Sequence, residues 1–146
     1  MTIPHLKMSQ SEIEEFLRPP RFAIVGTNRI DGPPQLTPVW YLYEKQKLYI
    51  SMFTRSAKYK NLQRDPRLSI CIAGDNPDAR AVIFSGSAEL YLQDSEPWVE
   101  DIMWRLVRRY YESDEDARSY QNAESDSDES ALTVLSPDRI LAQDYN

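Results

Sequence analysis

From Arg21 to Leu92 the chain is a succession of short stretches rich in β-branched and aromatic residues, each closed by a turn signal before it can extend. The stretches read as strands at Arg21 to Thr27, Gln35 to Tyr43, Leu48 to Phe53, Leu68 to Ala73 and Ala81 to Leu92. Asn28 to Pro33 is a turn, because Asp31-Gly32 tolerates positive φ and prolines follow it. Glu44-Lys45-Gln46-Lys47 makes the next turn, and Gly74 to Asp78 is a loop. A last strand spans Ala131 to Leu135 and continues through Arg139 to Ala142. Antiparallel strands of this length predict a mostly β fold, a small closed or half-closed barrel with helices at its periphery.

Three segments carry other patterns. Ser9-Gln10-Ser11-Glu12 has capping-box spacing ahead of Ile13, Phe16 and Leu17, which predicts a helix from Ser11 to Leu17, stopped by Pro19-Pro20. Trp98, Ile102, Leu106 and Tyr110 recur every four residues, so Glu96 to Tyr111 is an amphipathic helix with Ser95 as N-cap and Pro97 in its first turn. Glu112 to Ser130 is rich in Asp, Glu and Ser and reads as a solvated, flexible loop.

One domain of 146 residues can bury a real core. The net charge of −6 argues against a protein that coats nucleic acid, which needs a basic face. The single cysteine, Cys71, rules out an internal disulfide, and its apolar neighbours make it a small buried hydrophobe. The single histidine, His5, lies in the N-terminal tail, so histidine-based nucleophilic or zinc chemistry has almost nothing to stand on and no metal site is expected. No apolar run approaches the ~20 residues that span a bilayer, and the first residues lack a signal-peptide core. The expected location is the cytoplasm.

Chemistry concentrates between Thr54 and Arg67. There, three arginines and two lysines stand against one aspartate, where a strand ends and a helix from Ser56 to Arg64 begins. Asp65-Pro66 ends that helix. A helix N-terminus offers unpaired N–H groups and partial positive charge to an anion. Thr54 or Ser56 adds a hydroxyl, and Arg55 and Lys58 add full charges. Charge and spacing alone leave two readings open, a solvated helix face with Ser56 as its cap and a phosphate cradle.

The run Thr27-Asn28-Arg29-Ile30-Asp31-Gly32-Pro33-Pro34-Gln35-Leu36-Thr37-Pro38-Val39-Trp40, followed by Ser56-Ala57-Lys58-Tyr59-Lys60-Asn61-Leu62-Gln63-Arg64-Asp65-Pro66-Arg67, resembles the pyridoxamine-phosphate-oxidase-like flavin-binding superfamily. The likeness is greatest to its short branch, which includes deazaflavin-dependent reductases, and Ser136-Pro137-Asp138-Arg139-Ile140 also fits. The resemblance implies an antiparallel split β-barrel of the FMN-binding type. It also implies a homodimer with cofactor clefts between the subunits. Lys58 would bind the cofactor phosphate, helped by Ser56 and Arg55. Thr37, Pro38, Val39 and Trp40, with Ser51, Met52, Phe53 and Thr54, would line the ring and ribityl chain. Asn61 would hold the loop or reach the phosphate. Pro38 fits such a role independently, because proline inside a strand marks an edge or bulge. Most of Trp40, Tyr41, Tyr43 and Tyr49 are expected in the barrel core and dimer interface.

The sequence departs from the family in two places. The segment after Pro137 lacks the basic motif with which true pyridoxamine-phosphate oxidases grip substrate phosphate, so that activity is not expected. Ser56 also stands where many relatives carry an arginine, which leaves FMN and a deazaflavin coenzyme both open. The leading function is an oxidoreductase whose cofactor carries hydride to or from a small molecule, with no catalytic side chain assigned. The alternative is a non-enzymatic flavin or tetrapyrrole carrier or sensor that uses the same cleft.

Overall fold

A computed structural model describes residues 6–146; His5 lies outside them. Among the described residues nine strands and four helices follow one another: β1 (Leu6–Lys7), α1 (Gln10–Leu17), β2 (Ala23–Thr27), β3 (Gln35–Val39), β4 (Leu42–Glu44), β5 (Lys47–Phe53), α2 (Ala57–Arg64), β6 (Arg67–Ala73), β7 (Arg80–Leu92), α3 (Pro97–Arg108), α4 (Asp114–Ser127), β8 (Ser130–Leu135) and β9 (Arg139–Asp144). Every strand pairing is antiparallel, in the order β3-β2-β6-β7-β8-β5-β4, with β9 bridging β7 and β1. The result is the curled half-barrel of a split-barrel fold.

β7 is the hinge of this architecture. Its first half, through Ser87, pairs with β6 and β9, and from Ala88 onward it pairs with β8. The strand therefore passes from one sheet, β3-β2-β6-β7-β9-β1, into a second, β7-β8-β5-β4. Gly86 sits at the crossing because a Cβ there would meet the backbone of Asp138 and Ser136 at 3.1 and 3.2 Å. Alternation along β2, β5 and β6 sends Val25, Ile50 and Ile70 inward to join Phe16, Phe84 and Leu62 in the barrel core.

The second sheet is apolar on both faces. Ala131 and Leu135 of β8 face the barrel, while Leu132 and Val134 pack against Ile102, Met103 and Leu106 of α3. A strand buried on both sides reads as a continuous apolar run, as β8 does. Among the described residues nothing covers the outer face of the first sheet in this way. Ile24, Cys71, Ile83 and Leu141 lie in one row across it, with Leu36, Pro38 and Phe22 beside them. Leu36 is 68% exposed and Phe22 64%.

Local chemistry fixes the element ends. Ser9 and Glu12 form the expected capping box, which lengthens α1 by one residue at its start. Gly32 has φ of 86°, as the Asp31-Gly32 turn requires, and Lys45 and Gln46 take positive φ in the β4–β5 hairpin. The N-cap of α3 is Glu96, not Ser95, whose hydroxyl donates to the Leu92 carbonyl. Trp98 lies 42% exposed at the edge of the buried stripe, which runs instead through Val99, Ile102, Met103, Leu106 and Val107.

Two expectations are corrected. The strand foreseen from Gln35 to Tyr43 breaks at Trp40-Tyr41 into β3 and β4, because the residues just after α3 supply other partners for its backbone. The Tyr41 N–H donates to the Tyr110 hydroxyl at 3.0 Å, and its carbonyl accepts from Arg109 at 2.5 Å. The acidic stretch foreseen as a solvated loop at 112–130 contains a fourteen-residue helix, α4. Ala117, fully buried, and Tyr120 stand three residues apart on one face of it, and Arg118 lies over the Trp104 ring at 4.0 Å. Arg108 of α3 pairs with Asp114 in its first turn, where a carboxylate also complements the helix dipole.

Candidate functional site

β5 ends at Phe53, and Ser56 starts α2. The Ser56 hydroxyl donates to the Phe53 carbonyl at 2.7 Å and accepts from the Tyr59 N–H at 3.3 Å, an N-cap that clamps the strand end to the helix start. This clamp aims Lys58 into a cleft of about 210 Å³. Ser51, Met52 and Phe53 of β5 form one wall of the cleft, and Pro38, Val39 and Trp40 form another. Leu106 and Val107 of α3, Tyr120 of α4, Phe22 and Ser130 complete it.

Lys58 is half-buried, and burial pushes its ammonium pKa down. Among the described residues no carboxylate pairs with it, and its pKa is moved by desolvation alone. Trp40 stacks on Tyr110 with centroids 4.6 Å apart and planes 8° from parallel, and it touches Tyr120 at 5.1 Å. Tyr110 in turn donates to the Arg21 carbonyl at 2.6 Å, and burial raises its pKa. A half-buried cation with no carboxylate partner among the described residues, set among aromatic and apolar side chains and two serines, suits a ligand with an anionic head and a flat body.

Of the twelve residues singled out in the sequence, seven meet in this cleft: Pro38, Val39, Trp40, Ser51, Met52, Phe53 and Lys58. Five do not line it. Ser56 is the cap just described. Arg55 is largely exposed and paired with Asp128 at 2.7 Å. The Thr54 hydroxyl donates to a Glu129 carboxylate oxygen at 3.1 Å. Asn61 is buried and structural, donating to Thr27 Oγ1 at 3.2 Å and Gln35 Oε1 at 3.3 Å, so it ties α2 to β2 and β3. Thr37 shares the half-buried side of β3 with Gln35 and Val39.

The sequence reading missed Phe22, Leu106, Val107, Tyr120 and Ser130. Tyr120 left a signal, as the lone aromatic of the acidic stretch, three residues after Ala117. Leu106 and Val107 left none beyond the α3 stripe. Of the aromatic residues expected in the barrel core and dimer interface, Trp40, Tyr43 and Tyr49 are partly buried against the chain's own apolar clusters. Tyr41 is fully buried, with its hydroxyl donating to Leu17 O at 3.0 Å and Pro19 O at 3.2 Å, and Tyr49 packs beside α3.

The family model described as pyridoxamine 5'-phosphate oxidase matches residues 9–144. The chain belongs to that family. Solved structures agree on the fold. A conserved hypothetical protein from Mycobacterium tuberculosis, Rv2991, is 25% identical with a TM-score of 0.73, over 95% of this chain and 86% of its own. An F420 reductase is 19% identical with a TM-score of 0.64, over 88% and 94%. HutZ, a heme storage protein from Vibrio cholerae, is 16% identical with a TM-score of 0.71, over 92% and 94%. The F420 reductase and the heme storage protein share the split-barrel fold of this chain. No helix among the described residues is long and apolar enough to cross a membrane.

Proposed function

We propose that this chain is a flavin-dependent oxidoreductase that binds FMN, or a deazaflavin coenzyme in its place, by the phosphate. The observation that carries the reading is Lys58, a half-buried ammonium with no carboxylate partner among the described residues, held beside the capped start of α2 in a cleft lined largely by apolar and aromatic side chains. A phosphate there would supply the missing counter-charge, and Trp40, Met52 and Tyr120 would enclose the ring and exclude water. When bound, the flavin would supply the hydride chemistry, and the chain would supply binding, orientation and electrostatics.

The functional unit proposed is a cytoplasmic homodimer. The uncovered apolar row Ile24-Cys71-Ile83-Leu141 and the exposed Leu36 and Phe22 support it, since apolar faces of this kind seek a partner. Phe22 and Pro38 belong to that face and also line the cleft, so a second copy would extend the cleft wall.

The test is the absorption spectrum of the purified protein, with titration of the apoprotein by FMN, by riboflavin and by a deazaflavin coenzyme. Turnover is then assayed with a reduced nicotinamide or a reduced deazaflavin. Micromolar binding of a phosphorylated flavin supports the reading, and binding of none refutes it. Binding without turnover would make the protein a carrier.

A further inference from the structure

The groups nearest the cradle are already engaged by acid. The β5–β8 ladder ends at Phe53 opposite Ser130, and the chain continues the pairing by one more bond, Thr54 N–H to the Glu129 carbonyl at 3.0 Å. That register sets Glu129 against Thr54 and Asp128 against Arg55. Their carboxylates take the Thr54 hydroxyl at 3.1 Å and the Arg55 Nε at 2.7 Å. Arg55 also lies against the ring of Phe53, a cleft residue, at 5.7 Å.

A carboxylate and a phosphate compete for the same donors, since both are oxyanions that arginine and hydroxyl groups recognise alike. The two acids also belong to the segment that joins α4 to β8. α4 carries Tyr120 into the cleft, and Ser130, next in the chain after Glu129, lines it. Occupancy of the cradle and the seating of this helix therefore share one junction.

We propose that Asp128 and Glu129 form a built-in competitor latch. Their carboxylates hold Arg55 and Thr54. Phosphate binding at Lys58 displaces them, frees Arg55 to join the phosphate and loosens the α4–β8 junction. The inference rests on the phosphate reading of Lys58. It differs from a plain surface ion pair in one consequence, because removing the acids should improve binding of the phosphorylated ligand alone.

The experiment compares FMN and riboflavin dissociation constants at low ionic strength for the wild type, Asp128→Asn/Glu129→Gln and the same pair with Arg55→Gln. Thermal unfolding checks that each variant is folded. The two neutralised acids should tighten FMN binding about three- to tenfold, the scale of one partly exposed ion pair and one hydroxyl–carboxylate hydrogen bond, and leave riboflavin unchanged. With Arg55→Gln present the gain should vanish. Unchanged or weaker FMN binding overturns the latch, and so does equal tightening of FMN and riboflavin, which would mean general loosening of α4. If Lys58→Ala weakens FMN while the acid variants do nothing, the latch fails and the phosphate reading stands. If no variant binds either flavin, the phosphate reading fails and the latch falls with it.

Discussion

Replacing Lys58 by alanine separates a phosphate contact from a surface charge. The ammonium is half-buried, and desolvation alone shifts it, so a bound phosphate would be its first full counterion among the described groups. A charge-assisted hydrogen bond of this kind is worth about 1.5–3 kcal/mol, which makes FMN binding about ten- to a hundredfold weaker in Lys58→Ala. Lys58→Arg keeps the charge in a different shape and should lose less. Riboflavin shares the ring but lacks the phosphate, and its weak binding should not respond. Burial lowers the lysine pKa, so burying the ammonium costs the folded chain some stability and its removal should not destabilise the fold. The melting temperature should hold or rise slightly. The same sign gives FMN affinity an alkaline limb that begins below the pH where an ordinary lysine titrates. Its acid limb lies near pH ~6, where the phosphate takes up a proton. Fluorescence titration of both ligands across pH, with calorimetric melting of each variant, reads all of this. An equal response of FMN and riboflavin to Lys58→Ala would refute the assignment.

Three other outcomes are expected. Tyr120→Ala removes an aromatic contact worth about 0.5–1.5 kcal/mol beside Trp40, so FMN and riboflavin should both weaken about two- to tenfold, and titrations showing no change in either would return α4 to the role of a linker. Leu36→Asp puts a charge on the uncovered sheet face and should reduce the light-scattering mass from twice 17.0 kDa to one chain; a wild type that already measures as one chain contradicts the dimer. Tyr41→Phe removes one of two donors from each of the Leu17 and Pro19 carbonyls, which keep Arg109 Nη2, and should cost about 1 kcal/mol in denaturant melts. Burial holds the Tyr41 hydroxyl up at about 12, above its unfolded value, so the wild type should lose stability as pH climbs through 10 towards 12 and the variant should lose it less steeply.

Most strands were legible because alternation survives in the sequence wherever one face is buried, as in β2 and β6. Lys58 was legible as a cleft residue through the family resemblance, since charge and spacing alone left a solvated helix face open as well. What failed depended on distant partners. Nothing near Trp40-Tyr41 announces that Arg109 and Tyr110 will break the strand there. Arg55 and Thr54 looked free for phosphate only because their partners, Asp128 and Glu129, arrive through a register set by β8. In the acidic stretch, average polarity masked the spacing of Ala117 and Tyr120, and it is that spacing which seats α4.

The insertion of β8 between β5 and β7 also governs how the molecule is assembled. β4 and β5 form a hairpin early, yet their sheet cannot join β7 until residues 130–135 arrive to bridge them. Contacts so distant along the chain make folding slow, and until they form β5 and the end of β7 expose open strand edges. Such edges pair readily with those of another molecule. Substitutions within β8 should therefore act first on refolding speed and on losses to aggregation at high protein concentration, before they register in the melting temperature of the finished fold.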